Sequence, residues 1–99
     1  MRKLKNTLYV TTRDSALSLE NKGILIRTGE EKRRFPAIEL ESILLFGSCS
    51  VTTPLIRFCA ENGISLCFYS EYGRFYGRVE GGAKGSILLR DAQFRLAHD

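Results

Sequence analysis

Ninety-nine residues with 43 % apolar content suit a single globular domain with one modest core. No apolar run approaches the roughly 18–20 residues of a membrane span, and no apolar stretch follows the basic opening Met1-Arg2-Lys3-Leu4-Lys5, which argues against a secretory signal and sets the cytoplasm as the expected compartment. Fifteen Lys and Arg against eleven Asp and Glu give a net charge of +4. Ten of those cations are Arg, whose planar fork matches phosphate oxygens; this balance fits a nucleic-acid partner and a plain basic surface alike.

Asn6 to Thr11 is rich in β-branched and aromatic residues and reads as a strand. Ala16 to Glu20 alternates with period two, Asn21-Lys22-Gly23 carries turn chemistry with Gly23 available for positive φ, and Ile24 to Arg27 returns. That pattern predicts a hairpin with Leu17 and Leu19 facing Ile24 and Ile26. A second turn at Thr28 to Glu31 leads to a strand over Lys32 to Phe35, ended by Pro36. Ile43 to Phe46 is continuously apolar and predicts a strand buried on both faces.

The clear internal helix starts near Thr53, with Thr53 as its cap and Pro54 in its first turn. Leu55, Phe58 and Cys59 form its apolar stripe, Arg57 and Glu61 share the opposite face, and Gly63 suits the left-handed position that ends it. Ile64 to Tyr69 is a further apolar strand, Glu71-Tyr72-Gly73 turns, and Arg74 to Val79 goes back. A glycine-rich loop, Gly81 to Gly85, precedes Ile87-Leu88-Leu89. From about Arg90 the spacing of Leu89, Ala92 and Leu96 predicts a helix with no capping residue at its end, which points to continuation into a longer chain.

The chemistry-bearing residues are sparse. Three cysteines, Cys49, Cys59 and Cys67, form no C-x-x-C pair, and with His98 as the lone histidine they make no convincing zinc set. They read as small buried hydrophobes in a reducing compartment. A single penultimate histidine leaves no rigid partner for a nucleophile. Glu30-Glu31 and Glu39-x-Glu41 read as solvated charges. The glycine loop lacks the spacing of a phosphate-binding loop, since Lys84 precedes Gly85. No catalytic residue, metal ligand or cofactor is therefore assigned within these residues.

The best constellation is the hairpin around Gly73. On a strand, Arg74, Tyr76 and Arg78 project to one face and Phe75 and Val79 to the other. Two guanidinium groups flanking a phenol suit a phosphate backbone and a stacked base; a solvated outer face is the plainer alternative. Arg57, on the polar face of the preceding helix, could join the same basic surface. Arg33-Arg34 is a less specific pair.

These pieces, in order, resemble the N-terminal domain of the CRISPR-associated integrase, the Cas-one family, and its subtype I-C branch most closely. The resemblance rests on the opening Leu4 to Thr12, on Phe35-Pro36, and on Glu41-Ser42-Ile43 leading to Phe46-Gly47. It continues through Cys59 to Phe68, the Gly73-Arg74-Phe75 turn and the exit Leu88-Leu89-Arg90-x-x-Gln93.

The resemblance implies a β-rich domain over residues 1–89, and a helical linker from 90–99 to an all-helical catalytic domain outside this sequence. Together with the chain pattern, the expected fold is mainly β (α+β), with about seven or eight strands, one short internal helix and the start of a linker helix. It implies an antiviral-defence nuclease and integrase that acquires new spacers by capturing short DNA and inserting it into the CRISPR array. A divalent metal, Mg or Mn, is expected in the catalytic domain and none here. Homodimerisation through this domain, DNA contact and a Cas-two partner are implied as well, with Arg57 and Arg74 at positions of DNA-backbone cations. Two other readings stay open: an RNA-recognition-like single-strand binder, faintly echoed by Gly73 to Gly77, and a purely structural dimerisation domain.

Overall fold

The computed structural model describes residues 2–4, 6–79, 87–89 and 95–97. Eleven strands and one α-helix are formed among these described residues. The strands are β1 (Arg2–Leu4), β2 (Thr7–Val10), β3 (Ser15–Glu20), β4 (Gly23–Thr28), β5 (Glu31–Pro36), β6 (Ser42–Phe46), β7 (Cys49–Thr52), β8 (Ser65–Tyr69), β9 (Phe75–Val79), β10 (Ile87–Leu89) and β11 (Arg95–Ala97). The helix α1 spans Thr53–Glu61. Eight strands have four residues or more, so the β-rich architecture expected from the sequence holds, with three short strands added at its margins.

Two sheets form a sandwich. The first has the order β1-β2-β6-β8-β9-β10 and the second β11-β7-β3-β4-β5. Strand alternation explains the core. On the inner face of the first sheet, Ile43, Leu66 and Val79 lie in register on β6, β8 and β9 and are all buried. Opposing them, Leu17 pairs with Ile26 and with Val51, and Leu19 with Ile24, as the hairpin pattern requires. Helix α1 packs against β3, β7, β8 and β9, and buries Leu55 and Cys59 in the same cluster. No helix among the described residues is long and apolar enough to cross a membrane.

Several local expectations are corrected. The cap of α1 is Thr52, not Thr53: its side chain accepts a hydrogen bond from the Leu55 N–H at 3.4 Å, which leaves Thr53 and Pro54 inside the first turn. The reason is β7, which the sequence reading missed and which runs directly into the helix. The positive φ of the β3–β4 turn falls on Asn21 (47°) and Lys22 (58°), not Gly23. A two-residue hairpin turn of this hand needs positive φ at both central positions. Gly23 instead opens β4 beneath Arg34, whose guanidinium would lie 2.7 Å from an added Cβ. Arg34 donates to the carbonyls of Glu20 and Asn21 and so ties the turn to β5.

Strand β6 is buried on one face only: Ile43 and Leu45 are inside, while Leu44 and Phe46 are half-buried. The helix expected from about Arg90 is a strand over Arg95–Ala97, paired parallel to β7. Pairing satisfies backbone groups on an edge of β7 that would otherwise be open. The glycine loop Gly81 to Gly85, residues 90–94 of the expected helix, and His98 lie outside the described residues.

Candidate nucleic-acid interface

The β8–β9 hairpin is held by its turn. Ser70 N–H donates to the Arg74 carbonyl at 2.7 Å, and the Ser70 hydroxyl accepts from the Arg74 N–H at 2.9 Å and from the Tyr72 N–H at 3.2 Å. Gly73 sits at φ 92°, where a side chain would be strained. The backbone carrying Arg74 is thus fixed, and its side chain is exposed.

The pairing then shifts between Phe68 and Tyr69: Phe68 lies opposite Gly77, whereas Tyr69 lies opposite Phe75. That irregularity changes the expected face. Arg78, opposite Cys67, projects outward and is exposed. Tyr76, expected between Arg74 and Arg78 on the outer face, packs against the core cluster instead. Phe75, expected inside, sits on the outer face with its ring edge-on to Tyr69 at 5.6 Å. An extra residue on one strand of a pair rotates its neighbours off the two-residue alternation, and Gly77, a glycine inside the strand, is the one local sign of it.

Arg57 is exposed on α1, with Glu61 on the same side as the spacing predicts. No ion pair joins them among the described residues. Because α1 packs on the core side of the first sheet, Arg57 does not share the outer face that carries Arg78. The four sequence candidates are therefore spread: Arg74 in the turn before β9, Arg78 near the end of β9, Arg57 on the helix, and Tyr76 half-buried against the core.

Missed by sequence reasoning was the aromatic neighbourhood of Arg78. Phe46 and Tyr69 stack at 4.9 Å between ring centroids, and Tyr69 meets Phe75. The Tyr69 hydroxyl is raised above its usual pKa by burial first and by Cys67 and Tyr9, against the lowering effect of Arg78. Tyr9, Leu44 and Cys67 stand in register with Arg78 across β2, β6, β8 and β9, and the row continues to Leu88 of β10, so a cation lies within a row of apolar and aromatic residues on the outer face. The signal was the apolar content of every second position in Ile43 to Phe46 and Leu66 to Tyr69, which a strand covered on one face does not need.

The three cysteines are unbridged, and no cluster able to hold a metal occurs among the described residues. Burial pushes the Cys59 thiol up to about 12; burial, then the charge of Asp14, pushes Cys49 up to about 11. Both folded values exceed the ordinary 9.0, so the folded state keeps protons that the unfolded chain releases. The resulting stability is complete below that value and is lost as pH rises toward the folded ones. Urea midpoints are therefore expected to hold steady through neutrality and fall above about pH 9, with a smaller fall in Cys49→Ala/Cys59→Ala.

With this geometry in place, comparison with known proteins is informative. The family described as "CRISPR associated protein Cas1" matches residues 8–99. The CRISPR-associated endonuclease Cas1 1 of Chlorobaculum tepidum is 44 % identical over 98 residues, covering 98 % of this chain and 29 % of that protein. The fold is shared with Cas1 in a partial Cas6-RT-Cas1–Cas2 complex, at 16 % identity and TM-score 0.72, over 80 % of this chain and 24 % of that one. A crystallised TtCas1–DNA complex is similar at 26 % identity and TM-score 0.67, over 82 % of this chain and 32 % of that one. The chain thus spans under a third of the length of the proteins it matches.

Proposed function

This chain belongs to the Cas1 family of CRISPR-associated proteins, and on that premise we propose that it is the N-terminal dimerisation and DNA-backbone-binding domain of a subtype I-C-type integrase. The observation that carries the reading is the pair of exposed cations, Arg74 and Arg78, on a hairpin whose turn is locked by Ser70. Guanidinium groups carried on a backbone held by such a turn contact phosphates and position a duplex without reading its sequence. Arg57 adds a contact from the helix. DNA accompanies a similar Cas1 chain in one solved complex and Cas2 accompanies another, which supports both as partners of the protein to which this domain contributes.

The outer face of the first sheet supports self-association. Tyr9, Leu44, Phe46, Cys67 and Tyr69 are only half-buried there, and apolar area left at a surface favours a partner. Bond-making in spacer acquisition falls to a helical domain elsewhere in the parent protein, where acidic residues and a histidine hold Mg or Mn. Such a protein works in the cytoplasm, where both the CRISPR array and invading DNA are found.

Fluorescence anisotropy with two labelled duplexes of unrelated sequence tests this reading, with light scattering on the same sample. The expected result is a dimer that binds both duplexes within a few-fold of each other. A monomer, or strong preference for one sequence, contradicts it. A dimer that retains no DNA at low salt selects a purely structural role, and preference for single-stranded RNA selects the RNA-recognition alternative.

A further inference from the structure

The β4–β5 hairpin carries a second basic surface that the reading above does not use. Strand β5 is the terminal strand of its sheet, and Glu31 to Arg34 are all exposed. Register places Arg27 of β4 directly opposite Lys32 of β5, and Leu25 opposite Arg34. By strand alternation Arg27, Lys32 and Arg34 share the outer face of the second sheet. Glu31 and Arg33 fall on the other side, where the Arg33 guanidinium lies 5.3 Å from the Phe35 ring.

Two like charges directly opposite each other disfavour the pairing of their strands. Among the described residues, neither Arg27 nor Lys32 has a hydrogen bond or ion pair that would relieve this. Arg34 differs, because its guanidinium is held by the Glu20 and Asn21 carbonyls. The arrangement is a repulsive pair left uncompensated on an exposed strand.

The floor around the pair is flat and small. Ala16 lies opposite Arg27, Ser50 opposite Ala16, and Ser18 opposite Leu25. A protein partner is normally gripped through a large buried anchor in a pocket, and this face offers only the half-buried Leu25. A phosphate backbone needs the reverse: cations at its margin and no bulky side chain to hold it off. Charge complementarity therefore favours a polyanion.

We propose that Arg27 and Lys32, on the outer face of the β4–β5 hairpin, form a second contact surface for the phosphate backbone of duplex DNA, separate from Arg74 and Arg78 on the other sheet. The inference rests on the DNA-binding reading of the chain and extends it to the opposite side of the sandwich. A duplex held by one side of a protomer leaves the other free for a second segment, or for the same duplex continued across a dimer. Edge cations also block strand-to-strand aggregation, and the test separates that role from DNA contact.

The experiment compares wild type, Arg27→Gln/Lys32→Gln and Arg74→Gln/Arg78→Gln in duplex binding, each titrated across salt. Removing two phosphate contacts is expected to weaken binding roughly 20-fold and to reduce the magnitude of the log–log salt slope by about two. The effects of the two double variants are expected to add when combined, since the sites share no partner. Arg27→Gln/Lys32→Gln is expected to melt no lower than wild type at low salt, because a repulsive pair is relieved; weaker binding by that variant then cannot be blamed on unfolding.

If Arg27→Gln/Lys32→Gln keeps the wild-type slope while Arg74→Gln/Arg78→Gln loses affinity, the hairpin is only an edge guard and the inference falls with the DNA reading intact. If the hairpin variant alone loses affinity, the inference stands and the role given to Arg74 and Arg78 falls. Failure of wild type to hold any duplex at about 50 mM salt sinks both.

Discussion

Leu66→Ala is expected to destabilise the chain by about 2–5 kcal/mol. Leu66 is wholly buried on β8, between Ile43 of β6 and Val79 of β9. Strands hold it on both sides and helix α1 packs against β8, so the site cannot collapse around the space that truncation leaves. A domain of this size has about 5–15 kcal/mol in total, and each kcal/mol lost lowers its melting temperature by about 4–8 °C. Ile38→Ala supplies the contrast: at 93 % exposure it should stay within about 0.5 kcal/mol of wild type. Thermal melts of the two variants beside wild type decide the point. A Leu66→Ala melt within a few degrees of wild type would mean that the core does not close over β8.

Replacing Arg57, Arg74 and Arg78 together with Gln is expected to lower duplex affinity about 100-fold at moderate salt. Each exposed charge-assisted phosphate contact contributes about 1 kcal/mol, so three contribute about 3 kcal/mol, and each 1.4 kcal/mol is about tenfold in affinity. Gln keeps a polar side chain and removes the charge, so far-UV circular dichroism should not change. Arg57→Gln alone should cost less, since it leaves the β9 pair untouched. Tyr76→Ala should behave differently again. Its ring packs on the core, so the variant should lose stability first, with residual binding following the folded fraction. An affinity loss without a stability loss would restore Tyr76 to the outer face.

The two kinds of expected result reflect how unevenly the sequence discloses this molecule. The hairpin of β3 and β4 was legible because alternation of Leu17 and Leu19 against Ile24 and Ile26 is a local pattern, and the observed register agrees with it. Helix α1 was legible for the same reason, down to Gly63 at φ 71° after its last turn. What escaped depends on partners distant in sequence. Cys49-Ser50-Val51-Thr52 pairs with β3, more than thirty positions earlier, and its short run gives little periodicity to read. Leu96 fits a helical spacing equally well, but the free edge of β7 drew Arg95–Ala97 into a strand.

The candidate surface follows the same division. Exposure of Arg57, Arg74 and Arg78 was readable from their neighbours, because charged residues beside turns and on polar helix faces stay in water. Which side of the sheet Tyr76 takes was not, since a pairing irregularity opposite Phe68 and Tyr69 decides it. Arg27 and Lys32 stand five positions apart, and only the β4–β5 register makes them neighbours.

The account as a whole requires that exposed cations on a sheet-built scaffold hold DNA by its phosphates and leave the strands whole. One titration tests this directly: a labelled duplex, the 99-residue chain and magnesium, with salt raised in steps and each sample then run under denaturing conditions. The expected outcome is full-length strands throughout, with affinity falling linearly on a log–log plot as counterions compete. Binding that ignores salt, or strands cut by the purified chain, would contradict it.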